Sequence, residues 1–369
     1  GASVLNDVEA LSHCMLIWRS FTHWIGGMGV LVFILCLLPL TGGYHMNLMK
    51  AESPGPSVSK LVPKVQSTAK ILYTIYIILT IVEIIFLLIG KMPLFDTLCL
   101  SFGTAGTGGF GIKNDSIASY STYNQVVITV FMILFGINFN AYYLLLTKKV
   151  MQAAKNEEVR YYLGIIGLAI VAIAINTREM FTSFGRAFQQ AAFQVGSIIT
   201  TTGYATTDFN VWPVFSKTIL VILMFVGACA GSTGGGIKVS RLLILCKSAR
   251  KELQLYLHPN AVKKIKMDDK AIPHEVVRAT NMFLFVYIMI FVTSLLIISL
   301  DNLDMVSNFT AIAATLNNIG PGLGAVGPTG NFNTYSYISK GVMIFDMLAG
   351  RLEVFPLLLL FKRDTWRKF

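Results

Sequence analysis

Apolar and polar positions alternate along this chain on the scale of a bilayer. Apolar stretches lie near 16–41, 71–90, 125–147, 158–176, 213–230 continuing through 237–246, 278–300 and 341–361. Each has about the 20-residue length that crosses a ~30 Å hydrocarbon core at ~1.5 Å per residue. The pattern predicts seven spans. The first is too long and too rich in Gly and Trp for the apolar region of a cleavable leader, so the spans themselves act as insertion signals. Three amphipathic runs, 94–104, 185–199 and 305–318, are too short to cross. They are predicted to be half-helices that enter the membrane and stop midway.

Each half-helix runs into a Gly-rich stretch: Ser101-Phe-Gly-Thr-Ala-Gly-Thr-Gly-Gly-Phe-Gly111, Ser197-Ile-Ile-Thr-Thr-Thr-Gly-Tyr-Ala-Thr206 and Asn317-Asn-Ile-Gly-Pro-Gly-Leu-Gly324. With Gly1, Gly109, Gly203 and Gly320 as equivalent points, the intervals are 108, 94 and 117 residues. Each interval holds an inward-going and an outward-going helix, a half-helix and a Gly loop. Internal repetition on this scale predicts an all-α membrane protein built as a pseudo-fourfold repeat. The expected units are the end of repeat 1 over 1–60, repeat 2 over 61–155, repeat 3 over 156–260 and repeat 4 over 261–369. The opening Gly1-Ala2-Ser3, without an initiator Met, reads as a fourth copy cut at its first residue. On that reading the chain as written is N-terminally truncated and does not complete a pore.

Non-helical backbone at membrane depth is tolerated only when it is buried in protein or lines a water-filled path. Gly allows the backbone conformations that aim successive carbonyls one way, and Thr adds a hydroxyl without charge or bulk. A ring of such carbonyls replaces the hydration shell of a monovalent cation, and the C-terminal dipole ends of the half-helices add negative potential. Taken singly, a Gly loop reads as a turn or helix-packing segment. Three with matched flanks point to a pore.

Composition agrees: 54% of residues are hydrophobic and 13% charged, against roughly a quarter charged in soluble domains. The net charge of +11 is divided among short loops. Lys50, Lys60, Lys64 and Lys70 form one group, Lys148, Lys149, Lys155 and Arg160 another. Lys247, Arg250, Lys251, Lys263, Lys264, Lys266 and Lys270 form a third, with Lys362, Arg363, Arg367 and Lys368 at the C-terminal end. The positive-inside rule places all of them in the cytoplasm and the Gly loops outside. Charge spread this way, without an aromatic-basic face, does not point to nucleic acid. Cys14, Cys36, Cys99, Cys229 and Cys246 have no CxxC pairing and read as buried small hydrophobes. His23, inside a span, reads as a packed side chain rather than a metal ligand.

The three loops, together with Ala230-Gly-Ser-Thr-Gly-Gly-Gly-Ile-Lys-Val-Ser-Arg241 and Trp24-Ile-Gly-Gly-Met-Gly29, resemble the TrkH/TrkG potassium-uptake subunits of the Trk/Ktr/HKT superfamily. The resemblance covers essentially the whole chain. It implies four repeats of helix, pore loop and helix around a central ion pore, each giving one filter strand. Gly1, Thr107, Gly108, Gly109, Thr201, Thr202 and Gly203, with Asn318, Ile319 and Gly320 of the last loop, are carried over as filter positions for K⁺, with Rb⁺ or Na⁺ as other possible cargo. It further implies a homodimer in a prokaryotic inner membrane and a cytoplasmic ring of nucleotide-binding TrkA subunits. The basic segment Cys246 to Arg278 is a plausible docking surface, or only a topology signal. No cofactor is expected in the chain itself.

Gly231, Ser232, Thr233, Gly234, Gly235 and Gly236 interrupt the third inward helix. Each Gly costs about 1 kcal/mol against Ala in a helix, so the helix is predicted to break into two halves. The missing Gly-Lys-[Ser/Thr] element excludes a phosphate-binding loop. The resemblance makes this segment a gate under the filter, with Lys238 as an anchor or a snorkelling side chain. Arg351 lies inside the last span, where an Arg costs about 2.5–3.5 kcal/mol on insertion scales. It either faces the pore below the filter, as the resemblance implies, or pairs with Asp346 or Glu353. Arg19 reads as an anchor at the outer interface, and Glu83 as paired with a neighbouring helix. Asp7, Glu9, Asp115 and Asp208 either concentrate cations outside the filter or are solvated surface. No hydrolytic, redox or metal constellation points to an enzyme. The competing reading is a non-conducting membrane scaffold or sensor for a cytoplasmic partner.

Overall fold

The structure, a computed structural model, describes residues 2–29, 65–260, 264–352 and 354–359. Gly1, the 30–64 segment with Lys50, Lys60 and Lys64, Lys263, Glu353 and the basic C-terminal end lie outside the described residues. Helices dominate. They are α1 His13–Gly27, α2 Val65–Ile89, α3 Leu94–Ala105, α4 Thr122–Phe135, α5 Phe139–Leu146, α6 Val150–Ala154 and α7 Glu157–Asn176. After them come α8 Phe184–Ile199, α9 Val214–Val226, α10 Val239–Leu257, α11 His274–Ile298, α12 Met305–Leu316, α13 Tyr337–Arg351 and α14 Val354–Leu359. A small antiparallel hairpin pairs β1 Lys266–Met267 with β2 Lys270–Ala271.

One order recurs three times: a long helix (α2, α7, α11), a short one (α3, α8, α12), a Gly loop, and an interrupted helix. The long helices supply the candidate membrane spans Thr68–Ile89, Glu157–Asn176 and His274–Asp301, with mean hydropathies of 2.6, 1.8 and 2.7. Only 33%, 39% and 28% of their most apolar windows are buried in the protein. Ile77, Ile81 and Ile85 on α2 and Phe285, Ile288 and Val292 on α11 are exposed. Apolar surface on that scale has no place in water and suits lipid.

The remaining segments differ from uninterrupted spans. The predicted span 125–147 is two helices, α4 and α5, meeting at 90°. Gly136 ends the first, and Asn138 begins the second by accepting a bond from the Asn140 N–H at 2.9 Å, as an N-cap does. Counting that pair as one, four spans pass on length and composition among the described residues. The predicted break of the third inward helix is present, from Gly227 to Lys238.

The short helices match the predicted half-helices and form the interior. Ser183 caps α8 by accepting from the Arg186 N–H at 3.2 Å, and Asp304 caps α12 by accepting from the Ser307 N–H at 2.9 Å. From Val195 to Thr202 every side chain is buried, as is every residue from Thr310 to Asn317. The half-helices thus sit inside a shell of longer apolar helices and hold their C-terminal ends at the centre.

Candidate functional site

All three half-helices end in the same backbone turn. The α3, α8 and α12 C-caps are Gly106, Thr200 and Asn317, and the next residues, Thr107, Thr201 and Asn318, have φ of 48°, 60° and 58°. Their N–H groups donate to Thr104, Ile198 and Thr315 carbonyls at 3.0, 3.1 and 3.1 Å. The following N–H groups, of Gly108, Thr202 and Ile319, donate to Gly103, Ser197 and Ala314 at 2.8, 2.9 and 2.8 Å. This pair of bonds is the Schellman closure, which usually places Gly at the left-handed residue. Here that residue is Thr, Thr or Asn. A β-branched Thr in this conformation is strained by about 1–3 kcal/mol and tends to persist where the surroundings over-determine it.

One residue further on, Gly109, Gly203 and Gly320 return to positive φ, at 68°, 84° and 112°. There the loops meet head to tail. A Cβ added to Gly109 would collide with the Thr202 carbonyl oxygen, and one added to Gly203 with the Ile319 carbonyl oxygen. The carbonyls before one loop's glycine therefore lie against the glycine of the preceding loop. Only Gly allows that approach at that φ. Gly1 lies outside the described residues. A cavity of about 240 Å³ opens beside the ring, lined by Gly108, Gly109, Gly203, Ile319 and Gly320 among others.

On another side the ring rests on the 227–238 segment. The Thr107 hydroxyl donates to the Thr233 carbonyl at 2.9 Å, and the Thr201 hydroxyl oxygen accepts from the Gly235 N–H at 2.6 Å. The hydroxyls of two strained Thr residues thus tie the ring to this segment. Asn318 reaches α13 instead, donating to the Met347 carbonyl at 3.1 Å. The rest of the segment leans on the α4–α5 break. The Cys229 N–H donates to the Gly136 carbonyl at 3.0 Å, and the Phe139 N–H to the Gly231 carbonyl at 3.0 Å. Gly234 and Gly236 have no room for a side chain, and Ser232 bonds the Cys229 carbonyl at 2.6 Å.

Arg351 closes the assembly. Its guanidinium donates to the Thr233 carbonyl at 2.7 Å, to the Gly27 carbonyl at 2.7 Å and to the Gly26 carbonyl. It therefore joins α1 and α13 to the carbonyl that also accepts from Thr107. Asp346, one of the expected alternatives, is buried and accepts from the Ser294 hydroxyl at 2.8 Å; Glu353 lies outside the described residues. Lys238 does not snorkel: it is buried, has φ of 82° and donates to the Gly234 carbonyl of its own segment.

Arg19 makes contacts within the protein. Its guanidinium sits 4.1 Å over the Phe110 ring and donates to the Gly111 carbonyl at 3.1 Å, backing the strand that leaves the first Gly loop. His23 packs on Phe110, with ring centroids 4.4 Å apart, and fills the space beside Gly108. Glu83 is buried, and neither of its carboxylate oxygens has a hydrogen-bond partner among the described residues. All four acids in the outer loops have neighbours as partners, Asp115 accepting from the Ser119 hydroxyl at 3.4 Å. Asp7 and Glu9 accept from Asn114, whose side-chain bond holds the Asp7 carboxyl below its ordinary pKa, and Asp208 accepts from the Asn210 N–H.

Two site residues escaped the sequence reading. Asn138 is signalled by its position two residues after Gly136 in an otherwise apolar run, a stop followed by a cap. Glu158, at the start of α7, has no local signal beyond being acidic in a first turn. Its importance comes from partners at positions 138, 230 and 240.

The profile of the TrkH family, described as a cation transport protein, matches residues 1–367. The chain is 38% identical over 375 residues to the Trk system potassium uptake protein TrkH of Vibrio parahaemolyticus, covering all of this chain and 77% of that protein. It is 36% identical over 373 residues to TrkH of Escherichia coli K12, again over all of this chain and 77% of the relative. The protein of the same system named TrkG in Escherichia coli K12 is 33% identical over 376 residues, all of this chain and 76% of its own length. The crystal structure of the potassium transporter TrkH from Vibrio parahaemolyticus superposes with a TM-score of 0.85 at 35% identity, covering all of this chain and 76% of that one.

Proposed function

The chain belongs to the TrkH family of cation transport proteins, and we propose that it is the pore-forming membrane subunit of a potassium-uptake system. Transport proteins, not enzymes, make up this family. The observation that carries the proposal is the threefold recurrence of one strained turn, with consecutive loops packed glycine against carbonyl. In this reading the Thr107–Gly109, Thr201–Gly203 and Asn318–Gly320 carbonyls, with Gly1 as the fourth equivalent position, take the place of water around a dehydrated K⁺. Negative helix ends aimed at the ring favour a cation over an anion. The units 1–60, 61–155, 156–260 and 261–369 are then the four repeats around the pore.

The 227–238 segment and Arg351 form the gate. Three backbone carbonyls hold the guanidinium, and its fixed positive charge beneath the ring opposes cation passage while the segment stays in place. The positive loops set the orientation in a prokaryotic inner membrane, with the Gly loops outside. A TrkA-like nucleotide-binding subunit docks on the cytoplasmic segment Cys246 to Arg278, where a cavity of about 650 Å³ is lined by Lys251, Lys264, His274 and Arg278 beside Glu252 and Glu275. The subunit pairs as a homodimer, as the resemblance implies.

The test is growth of a bacterium lacking its own potassium uptake on limiting K⁺. The full-length protein is expected to restore growth and Gly203→Asp to fail at equal membrane abundance. Equal growth of both would overturn the filter assignment, and a protein that binds a cytoplasmic partner but never restores growth would favour the scaffold.

A further inference from the structure

Glu158 is a buried carboxylate on α7, an element that contributes nothing to the ring. Its Oε1 accepts from the Ala230 N–H at 2.6 Å and from the Ser240 N–H at 3.1 Å; its Oε2 accepts from the Asn138 amide at 3.3 Å. Ala230 precedes Gly231–Gly236, and Ser240 lies in the first turn of α10, whose cap residue Lys238 offers no side-chain cap bond. One carboxylate thus closes both ends of the 230–240 segment and ties them to the α4–α5 break. A negative group at a helix N-terminus is favourable in its own right.

The two residues before Glu158 are held by the hairpin. Asp268 Oδ1 accepts from the Glu157 N–H at 2.7 Å, and Asp268 Oδ2 from the Asn156 amide at 3.2 Å. Asp268 and Asp269 both have positive φ, 50° and 62°, the pattern of a tight two-residue hairpin turn. Lys247, two turns into α10, pairs with Glu157 and donates to the Lys266 carbonyl at 2.8 Å. The hairpin therefore grips α7 immediately before Glu158 and α10 just beyond the segment that Glu158 closes.

We propose that Glu158 is the positioning residue that keeps the 230–240 segment seated under the ring, and that the 266–271 hairpin is the handle through which a cytoplasmic event releases it. This rests on the segment acting as a gate. A pull on the hairpin displaces Asp268 and Lys247, shifts the start of α7 and draws the carboxylate from Ala230 and Ser240. The coupling passes through contiguous hydrogen bonds whose common element has two states, seated and released.

The native cysteines report on it directly. Cys229, adjoining Ala230, and Cys99, on α3, are both buried. Peptide-resolved thiol labelling of the full-length protein in liposomes is compared for the parent, Glu158→Gln, Glu158→Asp and Asp268→Asn. Glu158→Gln is expected to speed labelling of Cys229 at least tenfold with Cys99 unchanged, and Glu158→Asp to stay within threefold of the parent. Asp268→Asn should give a smaller rise that adds nothing in the double variant with Glu158→Gln. Unchanged Cys229 labelling in Glu158→Gln, equal rises at Cys99 and Cys229, or additive effects of the two substitutions would each overturn the proposal. Rb⁺ flux on the same liposomes separates it from the pore reading. Faster Cys229 labelling without flux in any variant keeps the clamp and removes the pore, whereas flux abolished by Gly203→Asp with unmoved labelling keeps the pore and removes the clamp.

Discussion

The ring loops and the 227–238 segment are both rich in Gly, both partly to fully buried over most of their length and in direct contact, yet they are held differently. Each ring loop closes on its own half-helix through two short-range backbone bonds, and Gly109 and Gly203 are packed against carbonyls of the next loop. The 227–238 segment keeps a few bonds of its own, such as Ser232 to Cys229 and Lys238 to Gly234, but it is seated by bonds to distant residues: Gly136, Phe139, Glu158, Thr201 and Arg351. A loop tied to its own helix and packed against the next loop resists displacement. A loop held by a handful of bonds to separate helices can leave when those helices move. Gly content alone does not separate the two regions; the sequence distance to their seating partners does.

Breaking the ring side should have the largest effect. Gly203→Asp and Gly109→Ala each force a Cβ into a neighbouring carbonyl at positive φ. Rb⁺ uptake is expected to fall at least a hundredfold in both, with normal membrane abundance by immunoblot. The movable side should respond in the other direction: Arg351→Ala removes the charge and the bonds to Thr233, Gly26 and Gly27, and is expected to raise unstimulated uptake about tenfold. Flux and regulation identical to the parent would count against the barrier role.

The seam between the two regions is tested by Thr107→Val and Thr201→Val, which keep the side-chain shape and delete one hydroxyl bond each to the segment. A neutral buried hydrogen bond contributes about 0.5–1.5 kcal/mol, so a change of roughly three- to tenfold in flux is expected from either. The smallest effect should come from Asn138→Ala. Loss of its cap bond to α5 costs about 1 kcal/mol, visible as a lowered melting temperature in detergent, with a modest rise in flux from the weakened seat of Glu158.

Much of this arrangement was legible in the amino-acid order. The half-helix predicted at 94–104 is Leu94–Ala105, that at 185–199 is Phe184–Ile199, and that at 305–318 is Met305–Leu316. Their ends were readable because each short amphipathic run passes directly into a Gly-rich stretch, and the third inward helix breaks where four glycines in six residues predict it. The 90° break at Gly136–Asn138 was not anticipated, since one Gly inside an apolar run is compatible with a continuous helix. Long-range partners were equally hidden. Nothing near Arg19 announces Phe110, nothing near Glu158 announces Ala230 and Ser240, and the order in which the loops meet follows from packing rather than from any one loop's sequence.

The packed ring is proposed as the path and the 227–238 segment as its gate. The most direct test is Rb⁺ uptake into liposomes bearing full-length parent, Gly203→Asp or Arg351→Ala protein, with K⁺ and Na⁺ as competitors. The prediction is uptake inhibited preferentially by K⁺, lost in Gly203→Asp and raised in Arg351→Ala; uptake by Gly203→Asp at the parent rate would contradict it.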